Sequence, residues 1–109
     1  TRTTIKEGVS TSGSFVEDKN LESICKAINK TLNLNGPIGF QFKKDHDGVF
    51  KLLEINPRIQ GSSVTSMALN INYPLLAVNV FLNPNFIPTV DKVSGRGFIR
   101  FYDEVFYDQ

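Results

Sequence analysis

The spacing of apolar residues changes period several times along the chain, and each change marks an element. Thr1–Val9 is β-branched and alternating, which predicts a strand that Gly8 ends or bulges. Alternation sets Arg2 and Lys6 on one face and Thr3, Ile5 and Glu7 on the other. Ser10–Ser14 (STSGS) offers no apolar residue and predicts a flexible polar loop. From Asp18 to Leu32 the period becomes helical. Leu21, Ile24, Cys25, Ile28 and Leu32 form one stripe, Asp18 suits the N-cap, and Asn35 or Gly36 suits a left-handed C-cap. Cys25 lies within the stripe and has no basic neighbour on its face, so it reads as core packing rather than a reactive thiol.

Between Gly36 and Ser63 alternation returns, predicting two strands joined at Asp47-Gly48, a pair that tolerates the positive φ angles of a type I′ turn. A two-residue loop opposes His46 and Val49, and with them Phe42 and Leu53, Gln41 and Glu54, Phe40 and Ile55, and Gly39 and Asn56. Gln41, Lys43, Leu52, Glu54 and Asn56 then share one face, while Phe40, Phe42, Leu53 and Ile55 share the other. Pro57 ends the second strand, having no N–H for the ladder. Ser63–Asn70 and Tyr73–Leu82 read as two short helices broken at Asn70-Ile71-Asn72, with Pro74 in the first turn of the second. Asn83-Pro84-Asn85 is a turn, and Gly95–Tyr107 an aromatic strand. The fold class expected is α+β, an antiparallel sheet with helices packed on one face.

Composition narrows the class without naming a function. The 109 residues suffice for a single domain spanning 1–109, and 40% hydrophobic with 21% charged residues is ordinary for a globular chain. A net charge of +1 leaves no electrostatic footprint for nucleic acid or for a membrane surface. Arg96 and Arg100 lie among aromatics, but Asp103, Glu104 and Asp108 cancel their charge. One cysteine permits no internal disulfide and fits a reducing compartment, so a cytoplasmic protein is expected.

The candidate chemistry lies on the hairpin. Opposed residues have Cβ atoms roughly 5 Å apart, so Gln41 and Glu54 can share a hard cation. Mg²⁺ accepts such a sparse set of oxygens, completed by water and phosphate. Asn56 continues the pattern, and Arg58 adds a permanent forked positive charge two residues on. Gly61-Ser62-Ser63 opens a helix whose free N–H groups favour an anion. A metal, an arginine and a helix N-terminus so close together are the equipment of phosphoryl transfer. A lone Glu on a half-exposed hairpin is ordinarily only solvated. Gly-x-Gln in register with Glu-x-Asn-Pro-Arg is a far rarer conjunction. Lys43 reads as a surface residue, and His46 sits at the hairpin tip, away from these groups.

The run LLEINPRIQGSS, preceded by IGFQF, resembles the metal-binding hairpin of the ATP-grasp superfamily, most closely over Gly36–Leu82. It is similar to carbamoyl-phosphate synthase large chains, biotin carboxylases and small carboxylate–amine ligases. The resemblance implies ATP as cofactor with Mg²⁺, for which Mn²⁺ can substitute. It implies metal roles for Gln41, Glu54 and Asn56, with Glu54 and Asn56 also contacting the nucleotide. Arg58 would be the catalytic residue, stabilising the acyl phosphate or bicarbonate. Leu52 would pack beneath the adenine, and Gln60 matches the glutamine that helps hold bicarbonate in biotin carboxylases. Those enzymes continue with Val-Glu-His, whereas Gly61-Ser62-Ser63 is closer to the synthases.

On this resemblance the chain is a C-terminal fragment of an ATP-grasp domain, inactive alone. Its partners would be the missing N-terminal lobe of the same protein and small carboxylate and amine substrates, with neither nucleic acid nor membrane. A homo-oligomer is open. Arg2 matches an arginine that reaches phosphate in relatives, although a solvated strand end explains it better. The rival class is a non-catalytic interaction module built on the same lobe.

Overall fold

The computed structural model describes residues 1–6, 9–83, 85–90, 95–101 and 103–108. The expected α+β class is what it shows, with antiparallel sheets and three helices. The strands form two sheets where one was expected. The chain divides into two compact units, Thr1–Glu17 with Lys92–Gln109, and Asp18–Asp91.

The first unit is a three-stranded antiparallel sheet of β1 (Arg2–Lys6), β2 (Val9–Ser14) and β5 (Gly97–Ile99), with β2 in the centre. The polar loop expected at Ser10–Ser14 is therefore a strand. Its physical reason is Gly13, buried opposite Phe98, where a Cβ would stand 2.9 Å from the Phe98 ring and 2.5 Å from the Thr1 carbonyl oxygen. Only a residue without a side chain allows that approach, and Phe15 adds a second ring 5.8 Å from Phe98. Tertiary packing here overrides the loop-like composition. Glu7 and Gly8, read as the end or bulge of the first strand, lie outside the described residues. The aromatic strand expected over Gly95–Tyr107 is confined to Gly97–Ile99. Its last backbone bond runs from Arg100 N–H to the Thr11 carbonyl (2.7 Å), and Phe101, Val105, Phe106 and Tyr107 are exposed beyond it.

The second unit begins with α1 (Lys19–Leu32). Asp18 caps it as expected, accepting from the amides of Asn20 and Leu21 at 3.0 Å each. The C-cap is Asn33, not Asn35 or Gly36, with φ 50° in the left-handed region that asparagine tolerates through local hydrogen bonding. Leu21, Ile24, Cys25 and Ile28 are half-buried, and Leu32 is exposed.

The helix expected at Ser63–Asn70 is a nine-residue 3₁₀ helix, Gly61–Leu69. Such lengths are uncommon in this tighter winding. Its hydroxyls explain it, because Ser63 donates to the Gln60 carbonyl (2.6 Å), Thr65 to that of Ser62 (2.8 Å) and Ser66 to that of Ser63. Each bond spans three residues and so favours three residues per turn. The same Ser66 proton is shared with the carbonyl of Ile71 at 3.0 Å, and Ile71 is the one buried apolar residue among those described. Then α2 (Tyr73–Leu82) starts with Pro74 in its first turn and with the Asn72 side chain accepting from Leu75 N–H at 3.0 Å. The axes of the two helices differ by 93°, and no single helix among the described residues is long and apolar enough to cross a membrane. Asn83 accepts from the amides of Asn85 and Phe86, consistent with the expected turn, of which Pro84 lies outside the described residues.

Candidate metal and phosphate site

The site is built on the hairpin of β3 (Gly39–Lys44) and β4 (Phe50–Asn56). Its loop is one residue longer than a type I′ turn. Asp45 pairs with Val49 (N–H to carbonyl 2.9 Å), and Asp45 also accepts at its carbonyl from Gly48 N–H at 3.1 Å. Gly48 supplies φ +78°, so the turn ends on a left-handed glycine, the usual form of a three-residue loop. The Asp45 carboxylate fixes it by accepting from Asp47 N–H (3.1 Å) and Val49 N–H (2.8 Å).

The longer loop puts the upper ladder one residue out of step with expectation, and a bulge restores the lower ladder. Lys44 faces Phe50, Lys43 faces Lys51 and Phe42 faces Leu52, then the register shifts, leaving Leu53 as the extra residue. Gln41 faces Glu54, Phe40 faces Ile55 and Gly39 faces Asn56, as the sequence led us to expect. Leu52 is the correction. It was expected on the Gln41 face under an adenine ring, but it stands opposite Phe42 because the bulge reverses the alternation above it. Two contacts confirm the reversed face. Phe42 and Phe50 pack edge to face at 6.4 Å, and the Lys44 ammonium lies 4.8 Å from the centre of the Phe50 ring.

On the other face the side chains converge. Gln41 Nε2 donates to Glu54 Oε2 at 3.3 Å, and Asn56 beside them is 8% exposed. Beyond Pro57 the chain turns sharply, with Arg58 N–H on the Asn56 carbonyl at 2.8 Å. The Arg58 side chain is exposed and, among the described residues, donates to its neighbour, the Ile59 carbonyl, at 3.2 Å. Gln60 comes back over the hairpin, where a Cβ on Gly39 would overlap its terminal amide. The Gln60 Nε2 is buried there with no hydrogen-bond acceptor among the described residues. A buried amide nitrogen without a partner is costly, and such atoms call for an explanation.

Gln41, Glu54, Asn56 and Gln60 are therefore gathered on one face, with Arg58 at its margin. His46 stays at the tip, 3.3 Å from the Asp47 carboxylate. Arg2 lies on β1, in the other unit. Two features escaped the sequence. One is Lys51, turned to the Gln41 face by the bulge. The other is the seating of Gln60 on Gly39, for which a glycine inside a strand was the available sign.

The residues fit a magnesium ion. An adjacent carboxylate and amide, with a second amide next along, are hard oxygen donors that leave positions for water and phosphate. Gln41 must present its oxygen rather than its nitrogen for this, a half-turn of an amide now held by a long 3.3 Å bond. Among the described residues no three acidic, histidine or cysteine side chains cluster.

The family described as ATP-grasp in the biosynthetic pathway with Ter operon matches this chain over residues 2–98. No curated protein and no solved structure is significantly similar to it. With the hairpin, its carboxylate and amide in register and nearly the whole chain inside the match, this protein belongs to the ATP-grasp family, as an ATP-dependent, ligase-type domain.

Proposed function

We propose that this chain supplies the metal-holding part of a ligase site that activates a carboxylate, or bicarbonate, as an acyl phosphate for attack by an amine-type nucleophile, as carbamoyl-phosphate synthases do. The observation that carries the reading is the Gln41–Glu54 pair in register, 3.3 Å apart, on the face that also holds Asn56 and Gln60. Gln41, Glu54 and Asn56 are the residues that would hold Mg²⁺, which when bound screens the charge on the phosphates of ATP. The chain's own residues then orient and neutralise. The carboxylate oxygen of the substrate bonds to the γ-phosphorus as the bond to the bridging oxygen breaks and ADP leaves. The amine next bonds to the acyl carbon as phosphate departs. Arg58, exposed and weakly engaged, can swing its forked guanidinium onto the oxygens of the transferred group. Gln60 lies on the same face, with its amide seated on Gly39. The lysine and adenine pocket that such a site also needs are proposed to come from an N-terminal lobe of the same protein, and the compartment is proposed to be the cytoplasm.

Calorimetric titration of Mn²⁺, and separately Mg-ADP, into the chain and its Glu54→Gln variant tests this. Metal binding abolished in the variant, with little affinity for nucleotide alone, is the expected result. Equal behaviour of the two proteins would refute the assignment and favour an interaction module.

A further inference from the structure

The hairpin opposes two lysines. Lys43 on β3 faces Lys51 on β4, and residues so opposed have Cβ atoms about 5 Å apart, where like charges repel. The bulge creates this pairing. A regular ladder continued upward from Gln41–Glu54 would set Lys43 against Leu52 and turn Lys51 to the Phe42 face. Leu53, as the extra residue, sends Leu52 to the Phe42 face and brings Lys51 to that of Gln41. Bulges next to functional sites commonly re-aim a side chain in this way.

Among the described residues little answers the charge. Asp45 Oδ2 is 3.4 Å from Lys51 Nζ, a long contact, while Asp45 Oδ1 is occupied by two loop amides. Lys43 is exposed and has no ion pair among the described residues. Among the described residues, then, the one carboxylate against this pair is that of Asp45, and it meets Lys51 alone. Lys43 stands two residues along its strand from Gln41, and Lys51, across the bulge, three from Glu54, about 7 Å away on the same face.

We propose that Lys43 and Lys51 form a phosphate subsite, holding oxygens of a polyphosphate chain whose metal-bound end lies at Gln41 and Glu54. The proposal rests on the nucleotide reading of this face. Each ammonium is a compact charge with three donors, and a polyphosphate offers several anionic oxygens within the span of the two stems. Binding would also relieve the repulsion that the free hairpin carries.

The test is metal-free tripolyphosphate titrated into the wild-type chain, a Lys43→Gln/Lys51→Gln variant, and a Lys26→Gln/Lys30→Gln control that removes the same charge from α1. Mn²⁺ is titrated into each, and into Glu54→Gln. The hairpin variant should bind tripolyphosphate about tenfold more weakly or worse, having lost its charge-assisted bonds, while the control keeps wild-type affinity. Added salt should weaken the wild-type complex. The hairpin variant should also unfold at a higher temperature than wild type, since the repulsion is gone. Equal tripolyphosphate affinity in the hairpin variant and the control overturns the subsite. Failure of the wild type to bind Mn²⁺ would instead refute the metal reading, because the tripolyphosphate comparison uses no metal.

Discussion

Replacing Gly39 by alanine puts a methyl group where the amide of Gln60 now sits. The nearest atoms are the Gln60 amide nitrogen and carbon, with Cγ 2.7 Å from the added carbon. These belong to the outer part of a flexible side chain, so Gln60 can swing away rather than force the ladder apart. The cost should therefore lie at the low end of overpacking, about 1 kcal/mol. Gln60→Ala should be nearly neutral, because the amide nitrogen has no acceptor to lose and truncation removes a buried unpaired donor. In the double variant the methyl enters the vacated space. Its stability should match Gln60→Ala, giving a coupling of about 1 kcal/mol between two residues far apart in sequence. Urea unfolding of the four proteins, followed by circular dichroism, measures the cycle. Additive effects within error, or a Gly39→Ala protein as stable as wild type, would mean that Gln60 does not rest on Gly39. A destabilised protein that the Gln60 truncation fails to rescue would point to the backbone instead.

Other expectations are more local. Gly48→Ala forces a side chain into a left-handed backbone at φ +78° and should destabilise the hairpin by about 1–2 kcal/mol in the same unfolding assay. Ser66→Ala strips the Ile71 carbonyl of a buried donor, and a loss of about 1–3 kcal/mol is expected, with Ser66→Thr milder if the hydroxyl is what matters. The Glu22 carboxyl is held below the usual range by its hydrogen bond to Lys26 at 2.6 Å and by that ammonium's charge. Its support of α1 is thus present above the unfolded carboxyl pKa and lost as pH falls through the folded one. Helicity of a Lys26→Met variant should fail at a higher pH than that of wild type in an acid titration. Burial raises the Cys25 thiol, so iodoacetamide at neutral pH should alkylate it more slowly than it does the unfolded chain.

What the sequence disclosed follows the range of the forces involved. The Asp18 cap and the Pro74 helix start are set by neighbours within a turn and appear as expected, and so does the α1 stripe apart from the exposed Leu32. The Gln41–Glu54 pairing was legible for a less direct reason. The loop is one residue longer than assumed and the bulge adds one residue to the other strand, so the two departures cancel below Leu53 and persist above it. Leu52 and Lys51 fall inside the affected interval, which is why their faces were misjudged. The STSGS strand was hidden because its stability comes from Phe98, more than eighty positions along the chain, and composition carries no trace of that contact. The 3₁₀ winding of Gly61–Leu69 depends on which carbonyls the hydroxyls choose, a competition that apolar spacing does not register.

Loop and bulge together act like a pair of compensating frameshifts, and the interval between them can be re-read without touching its surroundings. Tightening the loop to Asp47-Gly48, so that His46 pairs with Val49, would remove the need for a bulge. Leu52 would then join the Glu54 side and Lys51 would leave it, with Gln41 still opposite Glu54. Deleting Leu53 instead would straighten the ladder and keep every face as it stands. The hairpin thus separates the evolution of its two ends, since tip length can choose between an apolar and a cationic neighbour for the metal pair while the pair itself stays in register.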